Sequence, residues 1–456
     1  MIRKYNTLLG SFFEDVIEFF VSASCNSPKN LQDLTENIFE NRSNLLGKLA
    51  LCLIKHNFSE YINQEYHDCD CCGKRVRKSP KLVKKVLETK IGTIELERPY
   101  FYCKCCRKGQ YPLDQALGLA EGKIQYDVQS LEAWLTSHNS YEQAQETYRR
   151  CTGQEISAHH MFETTNCIAK NIDVIDASPK AEEIQEVIKE HSKGKFRRPV
   201  IMIAVDGAHA PTRPEPSPRK GKRGKGEWRE AKGFRIYLID HNKIVHLISW
   251  HQILNDDDLA LALQAVKEAS LIPEEKVRLA IIGDGARWIW NKISVIFPTA
   301  KRVLDYYHCS EHVFEVANIR YGKGAKSAHE WAQAILTRIF FDQLPIVVRE
   351  LEQTPSKTDE SKKKIDDLIG YLRNNSERIK YRAARKGGYH IGSGAIESAN
   401  KFISHTRLKL SGAWWYPSCA NNILKLRCAC QNNTFDRNIE NFVENDQARI
   451  RRKSSA

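Results

Sequence analysis

No run of 18 or more apolar residues occurs in the 456-residue sequence, which excludes an ordinary membrane-spanning helix. A small-residue cleavage site is also missing. The opening "MIRKYNTLLGSFFEDVIEFF" sets acids inside its apolar pattern, unlike a signal peptide. The expectation is a cytoplasmic protein with no membrane partner. With no export signal and a lysine-rich chain, the 14 cysteines are not expected to form a disulfide framework. Acid is scarce: 56 Asp and Glu stand against 70 Lys and Arg, a formal charge of +14.

The basic excess is local. "GKRVRKSPKLVKK" (Gly73 to Lys85) holds seven bases and no acid, "PTRPEPSPRKGKRGKGEWR" (Pro211 to Arg229) holds seven against two, and the chain finishes in "RIRRKSSA". A single run of this kind is usually a solvated face. Three in one chain point to a polyanion, with nucleic acid the better reading. The length is well beyond one minimal core and implies two to four domains.

Six of the cysteines fall between Cys69 and Cys106. "CDCCGKR" and "CKCCRKG" each contain a Cys-x-x-Cys pair, Cys69 with Cys72 and Cys103 with Cys106. Each pair can place two thiolates on one turn, and two such turns at the ends of a β-ribbon make a tetrahedral sulfur site suited to structural zinc. Cys71 and Cys105 compete for the same positions, and spacing alone selects the outer members. The intervening "KLVKKVLETKIGTIELERPYFY" has the pattern of a hairpin around a Gly-containing turn. Before it, residues 1–60 read as helical, with Leu8, Phe12, Val16, Ile17 and Phe20 at helical spacing. After the ribbon (61–118), a helical region (119–180) includes "SYEQAQETYRRCTGQEISAHHMFETTNCIAK". This reads as two helices around a turn, with Ser157 capping the second. A DNA-reading helix-turn-helix has this shape, and so do ordinary helical hairpins.

The second half carries the acids. "RRPVIMIAVDGAHAP" and "LAIIGDGARWIWNKI" are apolar runs that read as strands, each ending in an aspartate followed by glycine, at Asp206 and at Asp284. Between them lie two strands, Gly233 to Asp240 and Lys243 to Trp250, joined by "HN", and a helix "DDLALALQAVKEAS"; a short strand "AKRVLDYY" follows. A three-stranded meander, a helical crossover and further strands give a mixed α/β sheet. In that topology Asp206 and Asp284 emerge as neighbours, and two adjacent carboxylates repel unless a cation lies between them. A third acid, Glu397, sits in the first turn of a helix opened by "GSG", with Ser393 the expected cap. Taken alone, Glu397 is also explained by the helix dipole.

"AVDG", "IIGDGARWIWN", "FPTAKRVLDYYHCSEHV" and "GSGAIES" together resemble the motifs of bacterial insertion-sequence transposases of the Asp-Asp-Glu class, most closely the ISKra type. The resemblance runs over most of Pro199 to Cys430 and extends to "ERPYFYCKCC" and "YPLD" in the ribbon. It implies an RNase H-like fold in two parts (195–308 and 388–435) around a helical insertion (309–387), with a basic tail at 436–456. It further implies that Asp206, Asp284 and Glu397 hold two Mg²⁺ ions, with Mn²⁺ as a substitute. Such ions clamp the attacking and leaving oxygens of a phosphoryl displacement. The implied partner is double-stranded DNA, both element ends and target, bound by a homo-oligomer at the bacterial nucleoid. A silent DNA-binding derivative and a nuclease of the same fold are the alternatives.

His308, in "DYYHCSEH" with Asp305, resembles an accessory motif and would orient a phosphate or a water; a strand-end histidine satisfied by a neighbour is the other reading. Trp288 and Trp290, and Trp414 with Trp415, could stack on bases at a cut end, at about 1–3 kcal/mol per base. Packing is the commoner role for such residues. Arg219, Lys220, Arg223, Arg407 and Lys409 are the candidate phosphate contacts.

Overall fold

The computed structural model describes residues 10, 12–14, 16–21, 29–215, 225–356 and 358–455. They form two compact units, one of residues 1–168 with 439–456 and one of residues 169–438. Leu8 lies outside the described residues.

In the first unit the helix Leu31–Asn57 starts at Asn30, whose side chain accepts from the Asp33 N–H, a standard N-cap. Three short hairpins follow: β1 (Tyr66–Asp68) with β2 (Arg75–Arg77), β3 (Val83–Thr89) with β4 (Gly92–Arg98), and β5 (Phe101–Cys103) with β6 (Lys108–Gln110). Strand β4 alternates: Ile94 and Leu96 are buried while Glu95 and Glu97 are exposed. Its inner face joins Leu87 and Leu113 in a core closed by Leu51 and Ile54 of the long helix. A second core, built on Val128, Ala144, Tyr148 and Met161, unites the helices Tyr126–His138, Tyr141–Thr152 and Ala158–Ala169. The last two are the expected helical pair. Ser140 opens the first through a capping box with Gln143, Gly153 closes it at φ 64°, and the Ser157 hydroxyl accepts from the His160 N–H at 3.1 Å. The segment read as a basic tail is helical, Phe435–Ser455, and its later turns belong to this unit. Asp446 accepts from the Tyr126 hydroxyl at 2.7 Å, and Arg449 pairs with Glu121 at 3.0 Å.

The second unit is built on a five-stranded mixed sheet in the order β11-β10-β7-β8-β9. β7 (Val200–Thr212), β8 (Glu227–Asp240) and β9 (Lys243–Ile253) form the antiparallel meander, and β10 (Arg278–Gly283) and β11 (Lys301–Leu304) add in parallel. The β8–β9 turn is His241-Asn242, both at positive φ (47° and 65°), as a two-residue hairpin requires. Val200 to Val205 are all buried, as expected for a strand covered on both faces. After β11 come the helices Tyr306–Tyr321, Lys326–Phe340, Leu344–Glu352, Asp359–Asn374 and Tyr381–Lys386. Buried Ile335, Ile339, Val347, Leu351, Ile365 and Leu368 provide much of their interior. The chain then returns to the sheet through the helix Gly394–Ala399, which packs on β7 and β8. Among the described residues no helix is long and apolar enough to cross a membrane.

Candidate active site and cysteine cluster

The β7–β10 ladder ends at Ala204 opposite Ile282. Asp206 and Asp284 each lie two residues further on, so they leave neighbouring parallel strands in register and on the same face. The expectation that the Asp206 strand stops at the aspartate needs correction. β7 continues to Thr212 because β8 pairs with it as far as Thr212 opposite Glu227. What stops beside Asp206 is β10.

The glycines around Asp284 are explained by close packing. A Cβ on Gly283 would stand 2.9 Å from Ile289 Cδ1, and one on Gly285 would stand 2.5 Å from the Tyr371 ring. The Asp284 carboxylate accepts from the Ala286 N–H at 2.9 Å, and the Trp290 indole N–H donates to the Asp284 carbonyl at 2.9 Å. The aspartate is fixed from its main chain as well as its side chain.

Asp206 is pushed up from the ordinary 3.8 to about 6, first by burial and then by the charges of Asp284 and Glu397; the Gly207 N–H and His308 act against this. Asp284 and Glu397 therefore both bear on Asp206, although Glu397 comes from a helix. Asn400 donates to Asp206 Oδ2 at 2.8 Å. It follows Glu397 by three residues, a spacing that puts both on one side of a helix and could have disclosed it in the sequence. Arg235 on β8 donates to the Ala395 carbonyl at 2.9 Å and holds the Glu397 helix to the sheet.

Ser393 does not cap that helix through its side chain. It is buried, and its hydroxyl faces Glu397 Oε1 at 2.7 Å and Asp305 Oδ2 on its other side. Asp305 stands at the end of β11, where Leu304 pairs with Gly283 and the Asp305 N–H donates to the Gly283 carbonyl at 2.8 Å. It is fully buried, and burial raises its pKa. A hydroxyl has one proton, so it can donate to only one of two ionised carboxylates. A protonated Asp305 satisfies both contacts. His308 is partly exposed, with Nε2 4.0 Å from Asp305 Oδ2 and Nδ1 3.5 Å from Glu311. The turns Ile289–Ile293 and Asn400–His405, which follow Asp284 and Glu397, are π-helical, a form frequent at functional sites.

The remaining candidates divide by exposure. Trp414 and Lys409 are exposed and Trp288 is half-buried, 5.1 Å from the Lys232 ammonium. Trp415 is buried and donates to the Leu408 carbonyl at 3.0 Å. Arg407 needs correction as a phosphate contact: it is only 2% exposed and its guanidinium lies over the Trp415 ring at 4.7 Å, in the interior. Arg219, Lys220 and Arg223 lie outside the described residues.

In the first unit Cys69, Cys72, Cys103 and Cys106 bring their Sγ atoms within 4.8 Å of one another. They sit at the tips of two separate hairpins, β1–β2 and β5–β6, with β3–β4 between them in sequence. They are not at two ends of one ribbon. Cys72 and Cys103 are 3.7 Å apart, close to the edge of about 3.8 Å in a tetrahedron with bonds of about 2.3 Å. The N–H groups of Cys72 and Cys71 hold the Cys69 thiol down at about 7, and buried Gln110 donates to its sulfur at 3.5 Å. Cys71 and Cys105 are exposed and outside the cluster. The four thiols could hold a metal ion such as zinc. Among the described residues this is the one group of three or more such side chains placed to hold a metal ion.

Fold and site define a mixed α/β protein with clustered acids at one end of its sheet and a four-cysteine cluster in a separate unit. The chain belongs to the uncharacterised protein family UPF0236, whose model matches residues 74–445. Two UPF0236 proteins of Caldanaerobacter subterraneus subsp. tengcongensis are each 25% identical to it over 445 residues. The match spans 94% of this chain and 84% and 80% of theirs. Among solved structures, the Drosophila P element transposase strand transfer complex aligns at a TM-score of 0.30 and 10% identity, covering 67% of this chain and 92% of that one. A likeness of that degree leaves the function to be argued from the residues.

Proposed function

We propose that this chain is a DNA transposase of the Asp-Asp-Glu class, of the ISKra type its motifs resemble, with an RNase H-like core interrupted by the helices 309–387. The observation that carries the reading is the emergence of Asp206 and Asp284 in register from adjacent parallel strands, with Glu397 close enough to perturb Asp206. Three hard-oxygen donors that repel one another are a fit set for divalent magnesium. Two bound Mg²⁺ ions would supply charge to the attacking and leaving oxygens of a phosphodiester. Asn400 keeps Asp206 turned toward the site, and Ser393 does the same for Glu397. His308 is exposed enough to meet a phosphate oxygen. Trp414, Trp288 and Lys409 are available for DNA, and the helical pair 141–169 for the element ends. The four cysteines would hold structural zinc, and the working form would be a homo-oligomer on DNA.

The test is incubation of the purified full chain with Mg²⁺ and DNA carrying the element's terminal repeats. Joined products are expected. Cleavage without joining would make the protein a nuclease, and binding without cleavage a silent derivative.

A further inference from the structure

The end of the sheet opposite the carboxylates is basic. Arg198 precedes β7, Arg278 opens β10 and Lys301 opens β11. With Arg197 they line a hollow of about 780 Å³, which adjoins a second of about 440 Å³ lined by Lys301, Arg302 and Arg378. Glu274, Glu275 and Glu377 also line these hollows, but Glu274 is paired with Lys267 at 3.6 Å and Glu377 with Lys380 at 2.8 Å. The groove cations spend their hydrogen bonds on neutral acceptors. Arg198 donates to the Glu275 carbonyl (2.7 Å), Arg278 to the carbonyls of Arg198 (2.9 Å) and Gly387 (2.7 Å), and Arg378 to the Asn375 side chain (2.8 Å). These bonds orient the guanidinium groups without cancelling their charge. Tyr389 lies beneath both Arg278 and Lys301, at 5.7 and 5.8 Å. Burial, and after it the neighbouring Arg302, hold Arg378 below its ordinary value.

We infer that this groove is a second DNA-backbone surface, which grips duplex away from the reacting phosphate. Pre-oriented guanidinium forks match phosphate oxygens bidentately, and an excess of cations over acids in an open groove suits the regular charge of a duplex. Strand β10 has six residues, so the groove and the carboxylates are separated by roughly 20 Å, on the order of six base-pair steps. One phosphate cannot meet both. The groove would hold flanking or target DNA while the acids act elsewhere on it. This inference rests on the transposase reading for its partner.

The test compares the full chain with the triple variant Arg197→Gln, Lys301→Gln, Arg302→Gln. Binding to a random-sequence duplex is measured from 50 to 200 mM salt without Mg²⁺, and cutting of terminal-repeat DNA is assayed in parallel. Each lost phosphate contact lowers the slope of log affinity against log salt by about 0.9, so the variant slope is expected to be shallower by about three, with an unchanged melting curve. An unchanged slope overturns the inference. So does a parent that binds no duplex, or a variant that loses binding to polyglutamate while keeping its affinity for DNA, which would assign the groove to an acidic protein. A parent that binds duplex with the expected slope change but never cuts sinks the transposase reading and leaves the groove standing.

Discussion

Replacing Asp206 by Asn should stabilise the protein in the absence of magnesium while removing its proposed activity. Asp206 is displaced from 3.8 to about 6 in the folded state, chiefly by burial. A carboxyl raised in this way binds its proton more strongly folded than unfolded, so its contribution is whole below about pH 4 and is lost as the pH climbs through about 6. The displacement corresponds to about 3 kcal/mol at 1.36 kcal/mol per pH unit. Solvent on the open side of the site trims this to roughly 1–2 kcal/mol. The introduced amide is neutral and can still accept from Asn400. Thermal melts without added Mg²⁺ should show little difference between Asp206→Asn and the parent near pH 4.5. By pH 8 the variant should melt higher, by roughly 2–4 °C for each kcal/mol recovered. Added Mg²⁺ should raise the parent alone, by about 2.7 kcal/mol at a hundred times the dissociation constant. A variant that melts below the parent at pH 8, or that keeps the same advantage at both pH values, would rule out a buried Asp206 raised in this way.

Asp284→Asn should lower Mg²⁺-dependent cutting by on the order of 10³-fold or more, since several kcal/mol of charge stabilisation goes with the metal, while DNA affinity stays within twofold; equal loss of binding in a gel-shift assay would contradict this. Ser393→Ala should leave Glu397 and Asp305 facing each other without the intervening hydroxyl and weaken apparent Mg²⁺ affinity by about 10–100-fold. Cutting should return at high Mg²⁺, and Ser393→Thr should retain it, whereas a loss indifferent to Mg²⁺ would mean the serine serves only packing. The double substitution Cys69→Ser with Cys103→Ser should lower the zinc content found by elemental analysis and the melting temperature of the first unit. Full zinc retention there would show that other thiols hold the ion.

Features with a local cause were legible in the sequence. The Ser157 cap, the Gly-turned hairpin of β3 and β4, the paired Cys-x-x-Cys turns and the His241-Asn242 hairpin each depend on a few adjacent residues. The mixed sheet was legible too, because its central strands are nearly unbroken apolar runs. What failed depends on partners distant in the chain. The length of β7 beyond Asp206 is set by β8. Ser393 looked like a helix cap because its sequence context is a cap context, whereas its actual neighbours include Asp305 at the end of β11. The two π-helical turns had no signature at all, since they arise where side-chain packing stretches a helix and not from propensity.

The first unit is made from two stretches of chain that flank residues 169–438, with Tyr126 bonded to Asp446 and Gln447 to the Gly118 carbonyl at 3.0 Å. A ribosome delivers those two stretches far apart in time. At ordinary elongation rates, residues 169–438 take on the order of tens of seconds to emerge, and throughout that interval the docking face for the final helix stays bare on the nascent chain. Residues 439–456 must therefore be made before this unit can close. Stalled or truncated products would carry an intact set of four thiols beside an unfinished core.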